Sequence, residues 1–190
     1  MSTTQPARAA ADQAPLPRLL ADLVTHRAGD ALEARSLART RRLLDWLDRP
    51  LDEHADPTHV TGSAIVLDAD LRVLLHRHKR LARWLQPGGH LEPGEAPWDA
   101  AVRETHEETG VVVRHPDDGP RLVHVDVHEG PRGHVHLDLR YLLRAESGAS
   151  LSPAEGESRD VAWWPAQTAI AEVDPSAAAA IRAALAAADR

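Results

Sequence analysis

Apolar residues recur along this chain at two periods, and the changes of period mark its elements. Leu19, Leu20, Leu23 and Val24 follow a helical spacing, which predicts a short helix from Pro17 to about Gly29. A second helix is expected from Asp30, as N-cap with Glu33 as its capping-box partner, to Asp48 ahead of Pro50. Leu37, Leu43, Leu44 and Leu47 give it an apolar stripe. Val60 to Leu67 and Leu71 to His76 are β-rich runs around an Asp-Ala-Asp turn, a hairpin pattern. Residues 122–128 and 134–141 alternate strictly. Val123, Val125 and Val127 share one face of the first, and Val135, Leu137, Leu139 and Tyr141 share one face of the second. The stretch from Glu129 to Gly133 is expected to join them as a hairpin. Val161 to Trp164 reads as a last short strand. A short helix over Pro165 to Val173 and an Ala-rich helix from Asp174-Pro175 to about Asp189 complete the pattern.

Residues 1–15 are rich in Ala, Gln, Thr and Pro without periodicity and are expected to form a disordered tail. Residues 16–56 form a two-helix extension in this reading, and 57–190 the main domain, with the division in the polar, proline-bounded stretch Pro50 to Pro57. Two helices of this size cannot build a core alone. They should pack on the main domain or against a second copy of the chain as a homodimer contact.

Between the two hairpins lies the stretch that carries candidate chemistry, Gly88 to Val111. A glycine-rich loop opens into a helical segment in which Glu104, Glu107 and Glu108 stand at i, i+3 and i+4. That spacing stacks three carboxylates on one helix face, where like charges oppose one another. A solvated acidic face is the ordinary explanation. Against it stand the adjacent glycines, Arg103 one turn before Glu107, and Gly110 where a C-terminal cap belongs. Oxygen ligands converging beside a flexible backbone suit Mg²⁺ or Mn²⁺.

The same stretch resembles the Nudix box of the MutT-like hydrolases, Gly-x5-Glu-x7-Arg-Glu-U-x-Glu-Glu-x-Gly-U, where U is a bulky aliphatic residue. Gly89, Glu95, Arg103, Glu104, Glu107, Glu108 and Gly110 fill its fixed positions and Val111 its last aliphatic slot, while Thr105 departs from the pattern in the first. The resemblance implies an α/β/α sandwich with a mixed β-sheet, here with an N-terminal helical extension. It also implies hydrolysis of phosphoanhydride bonds in a nucleoside diphosphate linked to another moiety. By similarity, Glu107 and Glu108 are the principal metal ligands with the Gly89 carbonyl. Glu104 is a ligand or the general base, Arg103 orients the carboxylates, and Glu95 with Gly110 supports the motif. A Nudix-fold nucleotide-binding or regulatory module without catalysis is the alternative, and the three intact glutamates weigh against it.

Charge sharpens this picture. Residues 71–91 hold Arg72, Arg77, Lys79, Arg80 and Arg83 and no acid, whereas residues 92–108 hold six acids and one arginine. That polarity suits a phosphate ester lying between metal-loaded carboxylates and cations, with Arg77, Lys79 and Arg83 as candidate substrate contacts. The net charge of −7 argues against stable nucleic-acid binding. The chain has no cysteine, so disulfides, thiolate sites and a cysteine nucleophile are excluded, and with them the chemistry of the Nudix relative isopentenyl diphosphate isomerase. No run of 18 apolar residues occurs, and a cytoplasmic protein without membrane association is expected.

A register symmetric about the second hairpin's turn would set His128 opposite His134, Asp126 opposite His136 and His124 opposite Asp138, all on one polar face. Pocket lining by this face, with His136 on the substrate, is preferred to a solvated surface, and a dedicated zinc site ranks last. Glu157, ahead of Glu155, is the candidate for the further glutamate that many Nudix hydrolases place in the following loop as a metal ligand or base. Trp84 and Trp98 flank the box, and core packing is the expected role of both because Phe is absent and Tyr occurs once. The substrate stays open among nucleotide and other diphosphates.

Overall fold

The structure, a computed structural model, describes residues 12–130 and 133–188. Residues 1–11, most of the expected tail, and residues 131 and 132 of the hairpin turn lie outside the described part.

The chain begins with α1 (Leu16–Thr25) and α2 (Ala31–Leu44). The strands β1 (Thr58–Leu67), β2 (Val73–Arg77), β3 (Trp84–Leu85) and β4 (Gly88–His90) then lead into helix α3 (Pro97–Thr109). After it come β5 (Val113–Arg114), β6 (Arg121–Glu129), β7 (Val135–Ala145) and β8 (Val161–Trp164), and finally α4 (Ala166–Glu172) and α5 (Pro175–Ala188). All eight strands join one mixed sheet, whose main path runs β3-β2-β1-β7-β5. Within it β1 and β7 are parallel, and the other pairings are antiparallel.

Both faces of the sheet are covered, which explains why β1 is apolar at odd and even positions alike. Val60, Ala64 and Val66 point to one face and pack with Leu91, Ala100 and Ala101 around the box helix. Ile65 and Leu67 point to the other and pack with Ile181 and Ala184 of α5. Helices on both sides of a mixed sheet make the α/β/α sandwich.

The N-terminal helices add their apolar stripes to the first face: Leu19, Leu23, Leu37 and Leu44 belong to the same cluster as Val125, Leu137 and Leu139. Leu20 and Val24 of the first stripe stay exposed, so that stripe is covered within the chain only in part. Asp30 caps α2 as expected, accepting from the N–H groups of Leu32 and Glu33 at 2.8 and 2.9 Å. The helix ends at Leu44, four residues before the expected Asp48.

Glu33 does not close a capping box. Its carboxylate is buried and takes the Gly29 N–H at 2.6 Å, the His26 ring at 2.7 Å and the Val125 N–H of β6 at 3.1 Å. Burial raises this carboxyl, but the bonds from His26 and Gly29 outweigh it and hold the group below the ordinary glutamate value. Glu33→Ala would leave the buried Val125 N–H without an acceptor, at about 1–3 kcal/mol. Urea unfolding should show that loss, and an unchanged midpoint would mean that the tie carries no stability.

The second hairpin forms, but with a different register. β6 and β7 pair His128 with His136, Asp126 with Asp138 and His124 with Arg140. The shift of two residues keeps each side chain on its face while exchanging its partner. The turn is centred one residue later than the symmetric reading assumes, and the Gly130 N–H donates to the His134 carbonyl at 2.8 Å. A bulge between Leu122 and His124 then flips Val123, which packs on the second face with Leu142 while Val125 and Val127 pack on the first.

Nor is the polar face of this hairpin uniform. Asp138 is buried and accepts from Ser63 at 2.8 Å, Thr61 at 3.1 Å and Arg140 Nε at 2.9 Å. The Arg140 guanidinium also reaches Asp126 at 3.1 Å and Ser176, at the start of α5, at 2.9 Å. These residues make a closed ionic network inside the fold, and His134 and His136 are left at the open end.

Candidate active site

The box helix follows from local chemistry. Pro97 supplies a preset φ in the first turn, and Gly110 ends the helix in the left-handed region at φ 74°, returning its N–H to the His106 carbonyl. Thr105, which departs from the aliphatic pattern, is fully buried, and its hydroxyl donates to the Ala101 carbonyl at 2.6 Å. A polar group therefore sits under the helix without an unmet hydrogen bond.

Arg103 organises the carboxylates. Its Nε and one terminal nitrogen clasp both oxygens of Glu95 at 2.9 Å each, and the latter nitrogen also reaches the His90 carbonyl at 2.8 Å. The other terminal nitrogen donates to Glu104 at 2.8 Å and Glu107 at 3.2 Å. All five guanidinium donors are thus used, and the bonds to Glu95 foremost, then Glu104, hold the cation above its already high value against the effect of burial. Glu95 also accepts from the Glu92 N–H at 2.9 Å, so it ties the loop to the helix.

Glu108 has no such cation. Its carboxylate takes the Gly88 N–H at 2.9 Å and lies 3.6 Å from the His76 ring. Burial takes that imidazole down to about 4, so it is neutral near pH 7 and the approach is not an ion pair. Burial, reinforced by Glu104, Glu157 and Glu107, pushes the Glu108 carboxyl up to about 8 against the Gly88 hydrogen bond. Burial also raises Glu104, against the pull of Arg103. A Cβ on Gly89 would come within 2.5 Å of a Glu104 oxygen, so only glycine lets the loop approach this carboxylate. Crowded, partly shielded carboxylates beside a bare backbone form a donor set that fits a hard divalent cation.

A cavity of about 530 Å³ opens on Glu108, while Glu104 and Glu107 are not among the residues that line it. Its walls include Glu108, Glu157, Lys79, Arg80, His76 and His136. The loop carrying Glu157 is held by Lys79, whose ammonium donates to the Gly156 carbonyl. Of the expected contacts, Lys79, His136 and Glu157 come to this cavity. Arg77 and Arg83 instead line a separate cavity of about 350 Å³ with Trp84, Glu172 and Asp174. The basic run splays because Arg77 pairs with Trp84 across the β2–β3 ladder, which turns it toward Asp160 at 3.8 Å. Trp84 packs edge-on against Trp164 at 5.1 Å. Trp98 meets Tyr141 at 6.3 Å with Arg18 over its ring at 4.7 Å.

Sequence reasoning missed His76, His90 and Glu53 on the wall of this cavity, and the buried His59, whose ring lies 5.0 Å from that of His90. His90 follows Gly89 directly and was legible by position, whereas His59 and Glu53 lie in stretches with no local mark of a site.

Comparison with known proteins agrees with this architecture. The chain is 35% identical over 94 residues to the "Probable DHNTP pyrophosphohydrolase" of Lactococcus lactis subsp. cremoris (strain MG1363), a match over 46% of this chain and 54% of that protein. The chain thus spans about half the length of that relative. A crystal structure of a NUDIX-family hydrolase from Clostridium perfringens superposes with TM-score 0.56 at 28% identity, over 69% of this chain and 96% of the other. A C. elegans Ap4A hydrolase complex shares the fold with TM-score 0.59 at 20% identity, over 68% of this chain and 97% of the other. No described helix is long and apolar enough to cross a membrane. With the NUDIX domain model matching residues 57–185, which contain the box helix, its glutamates and the whole sheet, the chain belongs to the Nudix family.

Proposed function

We propose that this chain is a divalent-metal-dependent pyrophosphohydrolase that cleaves a phosphoanhydride in a nucleoside diphosphate linked to another moiety, with Mg²⁺ or Mn²⁺ as its cation. The observation that carries this reading is the uncompensated Glu108 carboxyl, pushed up to about 8 within a cluster where the nearby arginine is already saturated. Glu104, Glu107, Glu108 and the Gly89 carbonyl would hold the cation. A divalent ion at that position neutralises phosphoanhydride oxygens and makes water more acidic.

The chain's own groups do the remaining work. Arg103 keeps the Glu104 and Glu107 carboxylates in place through the hydrogen bonds described. Glu104 and Glu157 are the carboxylates available to accept the proton of the attacking water. Lys79 and Arg80 on the cavity wall offer positive charge to the phosphates. His136 lines the same wall. The relative named a probable DHNTP pyrophosphohydrolase supports the reaction class and leaves the leaving moiety open. The test is release of phosphate or nucleoside monophosphate from a panel of NDP-sugars, ADP-ribose, dinucleoside polyphosphates, oxidised nucleotides and non-nucleotide diphosphates with Mg²⁺ or Mn²⁺. No release from any of them would return the chain to a binding module.

The same carboxyl predicts how stability depends on pH. Glu108 ionises near 4.5 in the unfolded chain and near 8 in the fold, so between these values the folded state binds more protons. Its stabilising contribution is complete below pH 4.5 and is lost as pH rises through 8, at a slope of at most about 1.4 kcal/mol per pH unit. Excess Mg²⁺ should favour the ionised form and restore stability more at pH 8.5 than at pH 6. Thermal melts across this range, with and without Mg²⁺, check both statements. An Mg²⁺ effect that is equal at the two pH values would dissociate Glu108 from the cation.

A further inference from the structure

We propose that His59, His90, His134 and His136 form a second metal site, distinct from the box glutamates and suited to a borderline-soft transition ion such as Zn²⁺. One nitrogen from each of these four rings, taken together, lies within 4.8 Å of the others. They come from β1, β4, the turn before β7, and β7 itself. Register brings them together: His59 is paired with His136 across the parallel β1–β7 ladder, and His90 pairs with Thr61, two residues along β1.

Hydrogen bonding sets two of the rings for ligation. The Asp56 carbonyl can only accept, so His59 Nδ1, 3.1 Å away, carries the proton. The lone pair of that ring is then on Nε2, which is buried with no hydrogen-bond partner. Glu53 lies 3.2 Å from His90 Nδ1, a carboxylate–imidazole contact that likewise puts the lone pair on Nε2, where the His136 ring is hydrogen-bonded to it. His90 Nε2 and His136 Nε2 are 3.3 Å apart. Two ligands at about 2.0–2.1 Å on a tetrahedral ion are separated by about 3.3–3.4 Å, so this edge already has the required length.

A cluster of this kind is hard to explain as packing. All six ring pairs lie between 5.0 and 6.4 Å centroid to centroid, so protonating more than one ring sets like charges against each other. Burial, the leading cause, with the neighbouring histidines, holds His136 down at about 4 and lowers His59 and His90. Only a neutral imidazole offers the lone pair that ligates. Four imidazoles select zinc-like ions over Mg²⁺, and three glutamates with a carbonyl select the reverse, so the two clusters sort cations by chemistry. His90, His134 and His136 line the same cavity as Glu108 and Glu157, so an ion held here adds positive charge to the surface that an anionic substrate meets.

The test uses tag-free full-length protein, stripped with chelator and dialysed against limiting Zn²⁺ in excess Mg²⁺, with bound metal counted by mass spectrometry. Wild type should retain one Zn²⁺ per chain, and Co²⁺ in its place should give the intense visible bands of a tetrahedral site. H134A and H136A alter half-buried rings at the open end of the sheet and should each weaken Zn²⁺ binding at least about tenfold. Glu107→Gln should retain the ion. Wild type that keeps no Zn²⁺, or Zn²⁺ kept equally by H134A and H136A, or Zn²⁺ lost on Glu107→Gln, would overturn the site. Metal content is read without hydrolysis, so the result is independent of the proposed activity.

Discussion

Glu107→Gln is expected to lower kcat/KM by about 10²- to 10³-fold with little change in stability. The Glu107 side chain is about half exposed, and its one recorded bond is the 3.2 Å contact with Arg103. Glutamine preserves the shape and still accepts from Arg103, but it removes the charge that would hold the cation and offers N–H groups in its place. Losses of this size are typical when one preorganised electrostatic partner of a transition state is removed. The Mg²⁺ concentration needed for half-maximal rate should rise as well, which separates a ligand from a residue that only shapes the pocket. Steady-state kinetics on whichever member of the substrate panel wild type cleaves, over a range of Mg²⁺, decides the matter. Activity within a few-fold of wild type would remove Glu107 from the metal shell.

Arg140→Met is expected to destabilise the fold by about 3–5 kcal/mol. Arg140 and Asp138 are both nearly inaccessible, and the guanidinium joins Asp138, Asp126 and Ser176. Methionine fills much of the arginine volume and leaves two buried carboxylates without their cation, the arrangement that makes breaking an ion pair costly. Burial raises Asp126, yet the bond from His128 and the Arg140 charge outweigh it and hold that carboxyl well below its ordinary value, as a paired group requires. The double variant Arg140→Met with Asp138→Asn should cost less than the sum of the two singles. Urea unfolding of all three variants measures this, and a loss under about 1 kcal/mol for Arg140→Met would mean that water reaches the network.

Several features were legible because their information is local. The box helix, its Pro97 start and its Gly110 stop follow from residues within one or two turns, and the i, i+3, i+4 glutamates land on one face in any α-helix. Asp30 and Asp174 act as N-caps for the same reason. The hairpin strands follow from alternation, which sets the face of a residue but not its partner. Expectation and structure therefore agree on which side His136 and Asp138 lie and differ on what they oppose. The bulge that flips Val123 leaves no local mark, since an extra residue disturbs pairing and not composition. Glu33 showed a capping-box spacing, and one of its three actual partners, Val125, is 92 positions away.

By itself the sequence determined the family and the glutamate face, because a helix of fixed geometry turns spacing directly into arrangement. Only the tertiary structure decided that Arg77 and Arg83 leave the site, that Arg140 closes an ionic core, and that His59 and His90 join the hairpin histidines. Each of these depends on strand pairings between residues some 7 to 91 positions apart. Such pairings are chosen by the burial of whole faces, which no short window of the chain contains.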